Sequence, residues 1–112
     1  MNIEPISLYQ LNKKISSILK GSLSQIWIHA EISSISVQRV GHCYIELIEK
    51  DENTGNIIAK SRANIWANNY KMISSFFLEE TGKTLAAGMK VSLCVDVTYH
   101  EVYGISLNVS HI

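Results

Sequence analysis

The first twenty residues carry apolar side chains at helical spacing. Ser7 and Gln10 form a capping-box pattern, in which a serine cap is followed three residues later by glutamine. Gly21 can end the helix. The apolar residues recur at steps of three and four, which marks one helical face: Leu8, Leu11, Ile15, Ile18 and Leu19. The pattern predicts a helix over residues 7–20.

From Ile26 onward the period changes to two, which is the spacing of strands. A second helix interrupts this alternation: Asn68 and Asn69 can cap it, and Thr81-Gly82 ends it. Its apolar stripe consists of Tyr70, Ile73 and Phe77. The predicted strands cover residues 26–33, 42–49, 57–66, 89–100 and 105–110.

The order of elements is therefore helix, three strands, helix, two strands. Five short strands with a helix between the third and the fourth are typical of an OB-fold barrel. We predict a mainly β fold, a five-stranded OB-fold barrel with an added N-terminal helix. Residues 1–22 form the helical extension in this interpretation, and residues 23–112 form the barrel domain.

The amino-acid composition restricts the classes of function that we expect for this chain. The chain has 112 residues, 46% hydrophobic and 18% charged, which fits one ordinary globular domain. Ten basic residues balance ten acidic ones, whereas strong nucleic-acid binders are usually basic. No apolar run reaches the length of a membrane span, and the N-terminus has no export signal, so we expect no membrane partner and a cytoplasmic location.

Neither metal nor catalytic chemistry is indicated by the spacing of the reactive residues. His42 and Cys43 are neighbours in a strand and point to opposite faces, so they cannot share one ion. Cys43 has the apolar parity of a core residue, and Cys94 has the polar parity of its strand. We expect no metal, no cofactor and no disulfide. The acidic pairs 51–52 and 79–80 fall in a turn and at a helix end, and no phosphate loop or nucleophile motif is present, so we expect no catalytic residue.

Binding of single-stranded nucleic acid needs cations for phosphates and flat rings for bases. Arg39 lies in the loop between the first two strands, which borders the ligand groove of OB folds. Residues of the polar parity supply the other candidates: Trp27, His29, His42, Tyr44, Lys60, Arg62, Asn64 and Trp66. The alternatives are structural. Trp27 then lies beneath the N-terminal helix, Trp66 covers a barrel end or packs on a helix, and Lys60 and Arg62 are solvated opposite Glu46.

Five stretches together resemble the N-terminal domain of the large subunit of bacterial exodeoxyribonuclease VII, over residues 6–112: ISLYQLNKKISSILKG, IWIHAEIS, GHCYIEL, GMKVSLCVDV and YGISLNVSHI. The resemblance implies an OB fold that helps to hold single-stranded DNA, weakly as an isolated domain. It also implies two partners, a catalytic domain in the same chain and separate small subunits, and a chain that is itself non-catalytic.

Two other functions stay open at this point. The balanced charge motivates a protein-interaction module with little nucleic-acid contact. Family members commonly have arginine where this chain has His29 and in the turn at residues 101–104, which points the same way. Binding of RNA or tRNA cannot be separated from binding of DNA, because stacking on aromatic rings suits either polymer.

Overall fold

The computed structural model describes residues 3–112 as two helices and five strands. In chain order they are α1 (Leu8–Leu19), β1 (Ile26–Val37), β2 (Cys43–Lys50), β3 (Ile57–Ile65), α2 (Ala67–Thr81), β4 (Lys90–His100) and β5 (Gly104–His111). The strands close a barrel in the order β1-β2-β3-β5-β4. The β3–β5 pair is parallel, and the other pairs are antiparallel. The predicted mainly β barrel with a leading helix and a helix between β3 and β4 is confirmed.

β1 pairs with two different strands along its length. Its first half pairs with β4 and its second half with β2, and the two pairings overlap at Glu31. The backbone N–H of Ile32 donates to the carbonyl of Met89 at 2.8 Å, and the N–H of Gly88 donates to the carbonyl of Ile32 at 2.7 Å. A register shift follows between Ile32 and Ser34. The shift reverses which residues face inward, so that Ile35 pairs with the buried Ile45.

The core follows the apolar parity of the strands. Cys43 lies in it as expected, and burial raises the pKa of its thiol to about 11. Ile73 of α2 joins the same cluster, with Tyr70 and Phe77 packed against it, so the predicted stripe of this helix is confirmed. The side chains buried most completely are Ile32, Cys43, Ile65, Leu93, Val95 and Val109.

Cys94 is buried although it has the polar parity of β4. It pairs directly with Trp27 on β1 and with His111 on β5, and residues directly opposed across a ladder share one face of the sheet. The rings of Trp27 and His111 stack with centroids 6.5 Å apart. The two rings come from the strands on either side of Cys94, on the face to which its polar parity assigns it, and the residue is buried there.

The two helices differ in how well their starts were predicted. The capping box of α1 is confirmed: Ser7 Oγ accepts from the N–H of Gln10 at 3.0 Å, and Gln10 Oε1 accepts from the N–H of Ser7 at 2.8 Å. The asparagine cap of α2 is wrong, because the N-cap position falls on Trp66 and the helix begins at Ala67. The predicted end is correct, since Gly82 adopts the left-handed conformation with φ 72°.

α1 lies against β4 through polar contacts. Asn12 Nδ2 donates to the carbonyl of Glu101 at 2.9 Å, and the hydroxyl of Tyr99 donates to Asn12 Oδ1 at 3.3 Å. None of the α1 residues, all of which the structure describes, is buried. Trp27 is 58% exposed, so the alternative that places it beneath this helix is wrong. The division of the chain at residue 22 stays a prediction.

The connection from α1 to β1 is fastened by Asp96 of β4. One carboxylate oxygen accepts from Ser24 Oγ at 2.9 Å and from the N–H of Gln25 at 2.7 Å. The bond from Gln25 and then the bond from Ser24 favour the charged form, and they hold the pKa of Asp96 below its usual value. Gln25 has φ 52°, a left-handed conformation that the two bonds help to hold.

Two further observations concern residues 3–112 as a whole. Neither helix in this range is long and apolar enough to cross a membrane. The same range contains no group of three or more His, Cys, Asp or Glu side chains that could hold a metal ion.

Candidate nucleic-acid interface

Polar side chains cover the outer surface of β2, β3 and the second half of β1. Cross-strand pairing aligns them in rows, with Ser36 beside Tyr44 and with Ser34, Glu46 and Arg62 side by side. The register shift in β1 is what brings the two serines onto this surface. The β2–β3 face is defined here as Ser34, Ser36, Tyr44, Glu46, Lys60 and Arg62.

Tyr44 is the aromatic residue of this face, and it is 43% exposed. Its partner on β3 is Asn64, and Arg62 lies diagonally from it. Asn64 was expected on the same open surface, which is wrong. It is buried, and its Nδ2 donates to Asn108 Oδ1 on β5 at 3.4 Å, because β3 pairs with β5 at this position.

Arg62 joins the face to the loop between β4 and β5. Its Nη2 donates to the carbonyl of Tyr103 at 2.6 Å. His100 holds the same loop from the other side, since its Nδ1 accepts from the N–H of Val102 at 3.1 Å and its ring stacks on Tyr103 at 4.7 Å. The Tyr103 side chain is 69% exposed. A shallow groove runs beside this contact, lined by Glu46, Lys60, Ser61, Arg62 and Ile105.

Sequence reasoning missed Tyr103 as a candidate. The turn at residues 101–104 was judged only by its lack of arginine. The loop between the fourth and fifth strands borders the ligand groove of OB folds, so an aromatic residue there was the available signal.

The charges on the face differ from the neutral balance of the chain. The face and the β1–β2 loop carry three cationic side chains, Arg39, Lys60 and Arg62, and one carboxylate, Glu46. Lys60 Nζ lies 3.3 Å from Glu46 Oε1, an exposed pair of the kind that contributes little to stability. Glu101 of the β4–β5 loop lies 4.0 Å from a lysine of α1. The region is therefore locally positive although the chain as a whole is neutral.

His42 and Trp66 hold the β1–β2 loop against α2. His42 is half-buried, and its Nδ1 accepts from the backbone N–H of Ala67 at 2.9 Å. The imidazole also meets the Trp66 ring edge to face, with centroids 5.1 Å apart. Gly41 has φ 98°, and a Cβ on it would lie 3.2 Å from the Cβ of Ala67. The loop that carries Arg39 is thus attached to the first turn of the helix.

Trp27 and His29 do not join the β2–β3 face. They lie on the first half of β1, which pairs with β4. His29 Nδ1 is 3.0 Å from the hydroxyl of Ser92, and Trp27 stacks on His111. The structure therefore brings Tyr44, Lys60 and Arg62 together, puts His42 and Trp66 at one border, and leaves Trp27 and His29 on a separate surface.

Comparison with known proteins agrees with the barrel fold. The chain is 36% identical over 96 residues to the exodeoxyribonuclease 7 large subunit of Deinococcus radiodurans, a match that covers 82% of this chain and 23% of that protein. It is 35% identical over 88 residues to the exodeoxyribonuclease 7 large subunit of Hamiltonella defensa, covering 79% of this chain and 18% of that protein. The chain thus spans about a fifth of these relatives, and the resemblance drawn from its motifs is confirmed. A family model described as an OB-fold nucleic acid binding domain matches residues 6–112, so the chain belongs to the family of OB-fold nucleic acid binding domains.

Proposed function

We propose that this chain binds single-stranded DNA on the β2–β3 face and guides it to a catalytic domain of a longer exodeoxyribonuclease VII large subunit. One observation carries the proposal. Arg62 lies diagonally from Tyr44, and its guanidinium bonds to the backbone carbonyl of Tyr103, so one cation is placed beside two exposed aromatic residues. Such a combination of cation and stacking surfaces suits a flexible strand with bases and phosphates.

The roles of the residues follow from their surroundings. Bases stack on Tyr44 and Tyr103, and Arg39, Lys60 and Arg62 meet the phosphates. His42 and Trp66 act by holding the loop that carries Arg39. Trp27 and His29 lie outside this path and take part only if the strand continues around the barrel.

The proposal extends to the whole protein. Hydrolysis of the phosphodiester belongs to the catalytic domain, and this chain supplies no catalytic residue and no cofactor site. Small subunits are the other expected partners, because the relatives are named as large subunits. A cytoplasmic location is part of the proposal, since the two free cysteines suit a reducing compartment.

The affinity of the isolated chain is expected to be low. Each stacked base contributes about 1–3 kcal/mol, so two stacks and a few phosphate contacts correspond to roughly micromolar to millimolar dissociation constants. Two or three phosphate contacts predict a loss of roughly tenfold between 50 and 200 mM salt. Several copies on one assembly would raise the effective affinity.

Fluorescence anisotropy with a labelled oligothymidine of about 12 nucleotides tests the proposal at low salt. We expect the Tyr44→Ala/Arg62→Ala variant to bind at least tenfold more weakly than the wild type. Glu46→Gln removes the carboxylate of the face and is expected to bind about two- to fivefold more tightly. His29→Ala is the matched control and should bind like the wild type.

Two results would contradict the proposal: no binding by the wild type at millimolar protein, or identical curves for the wild type and the double variant. The first result favours the protein-interaction module, a function that the positive charge of the face argues against. Titration with an oligouridine of the same length decides between DNA and RNA, and an oligouridine that binds more tightly would redirect the proposal to RNA.

A further inference from the structure

The apolar stripe of α1 and the side that α1 turns to the barrel do not coincide. The half-buried residues of the helix are Asn12, Ile15, Ser16 and Leu19. At about 3.6 residues per turn, the centre of this set lies about 60° around the helix from the centre of the apolar residues. Part of the apolar stripe therefore faces solvent, although nothing in the proposed DNA-binding face requires it.

The exposed residues of the stripe, together with the half-buried Ile15, have the spacing of a helix-pairing surface. Leu8, Leu11, Ile15 and Ile18 are separated by three, four and three residues, which are the a and d positions of two heptads. We call these four residues the α1 seam. Leu8 and Ile18 are each 72% exposed, and Leu11 is exposed as well. A seam of this kind is buried when a second helix inserts its own apolar residues between those of the first.

The charges beside the seam restrict the partner. α1 contains Lys13 and Lys14 and no acidic residue. With Leu8 at position a, Lys14 occupies position g and borders the seam, whereas Asn12 at position e is engaged with the barrel. In an antiparallel pair of two copies, position g faces position g, so Lys14 would oppose Lys14. In a parallel pair, position g of one helix faces position e of the other helix. Position e of each copy is engaged by that copy's own barrel, so this pairing is blocked.

From this geometry we propose that the α1 seam binds an amphipathic helix of another polypeptide segment, whose flank facing Lys14 is acidic. The seam shares no residue with the proposed DNA contacts, and α1 bonds to the β4–β5 loop through Asn12, which lies outside the seam, so this interaction is separate from DNA binding. It gives the chain a protein-docking surface that stays available while a strand occupies the face.

Two designed helical peptides test the proposal on the 112-residue chain, with binding followed by anisotropy. Both have leucine at a and d, and one has glutamate and the other lysine at e and g, so that neither pairs with itself. We expect the acidic peptide to bind about three- to tenfold more tightly than the basic peptide. Lys14→Glu should invert this preference, and Leu11→Ser/Ile18→Ser should weaken both interactions at least tenfold while the circular dichroism spectrum is retained.

Lys20→Glu is the matched control, since it makes the same change of charge away from the seam, and it should keep the preference for the acidic peptide. Equal binding of the two peptides, or an unchanged preference in Lys14→Glu, would overturn the proposal.

The remaining measurements address other occupants of the seam. Analytical sedimentation of the 112-residue chain should show a monomer. A dimer that Ile18→Ser dissociates would assign the seam to a second copy of the chain. Phosphatidylglycerol vesicles that bind in place of the peptides would assign it to an anionic membrane. Oligothymidine binding by Leu11→Ser/Ile18→Ser should match the wild type, which separates this test from that of the proposed function.

Discussion

Replacing His42 by alanine measures how firmly the β1–β2 loop is attached to α2. The imidazole accepts a partly buried hydrogen bond from Ala67 at 2.9 Å, and such a bond contributes about 0.5–1.5 kcal/mol. Its edge-to-face contact with Trp66 at 5.1 Å contributes a further ~0.5–1.5 kcal/mol. Since the N-cap residue of α2 makes no side-chain capping bond of its own within the described chain, nothing compensates the loss. We expect His42→Ala to lower the free energy of unfolding by about 1–3 kcal/mol.

Urea unfolding followed by circular dichroism gives the measurement. With a slope of about 1–3 kcal/mol per molar urea, the midpoint should fall by roughly 1 M. His29→Ala is the control, because His29 is exposed and bonds only to the hydroxyl of Ser92, so its change should stay below about 0.5 kcal/mol. An unchanged midpoint for His42→Ala would refute the capping role of the imidazole. Oligothymidine binding without urea should weaken by about threefold, because the loop that carries Arg39 must then be ordered on binding. A tenfold loss at unchanged stability would instead make His42 a direct DNA contact.

Three further predictions concern pH, thiol reactivity and the same loop. Because hydrogen bonds lower the pKa of Asp96, its charged form stabilises the folded chain above the usual value of 3.8, and this contribution is lost as the pH falls through the lowered pKa. Asp96→Asn should therefore unfold at lower urea than the wild type at pH 7 and at the same urea near pH 2. Cys43 and Cys94 are buried, so both thiols should resist an aromatic disulfide reagent in the native chain and react fully in concentrated urea. Gly41→Ala should cost about 1 kcal/mol more than Gly55→Ala in urea unfolding, because both glycines have positive φ but only Gly41 meets a neighbour.

Local sequence patterns predicted the elements of this fold because the signals are themselves local. The capping box at Ser7 and Gln10 and the glycine end of α2 each depend on residues within one turn. The start of α2 was mispredicted for the opposite reason. Its capping bond comes from His42, on a loop 25 residues earlier in the chain, and no nearby residue reports that contact.

The arrangement of the candidate interface was predicted in part, since parity placed Tyr44, Lys60 and Arg62 on one surface and the strand register agrees. The alternation of inward and outward residues gave a wrong prediction where β3 and β5 close the barrel. Asn64 is buried because β5 runs beside it, and strand order around a closed sheet cannot be derived from alternation along one strand. The register shift after Ile32 was equally invisible, because no glycine or proline marks it.

The attachment of both loops bears on how a neutral chain could bind DNA in the proposed way. Ordering a flexible loop upon binding costs free energy that must be recovered from contacts. Here the β1–β2 loop is already held by His42 on Ala67, and the β4–β5 loop is already held by Arg62 on Tyr103. Because little ordering remains to be done, two aromatic rings and three cations can suffice for a weak and sequence-tolerant contact. A more basic face would bind more tightly, but the proposed role of guiding a strand toward a catalytic site also requires the domain to release that strand.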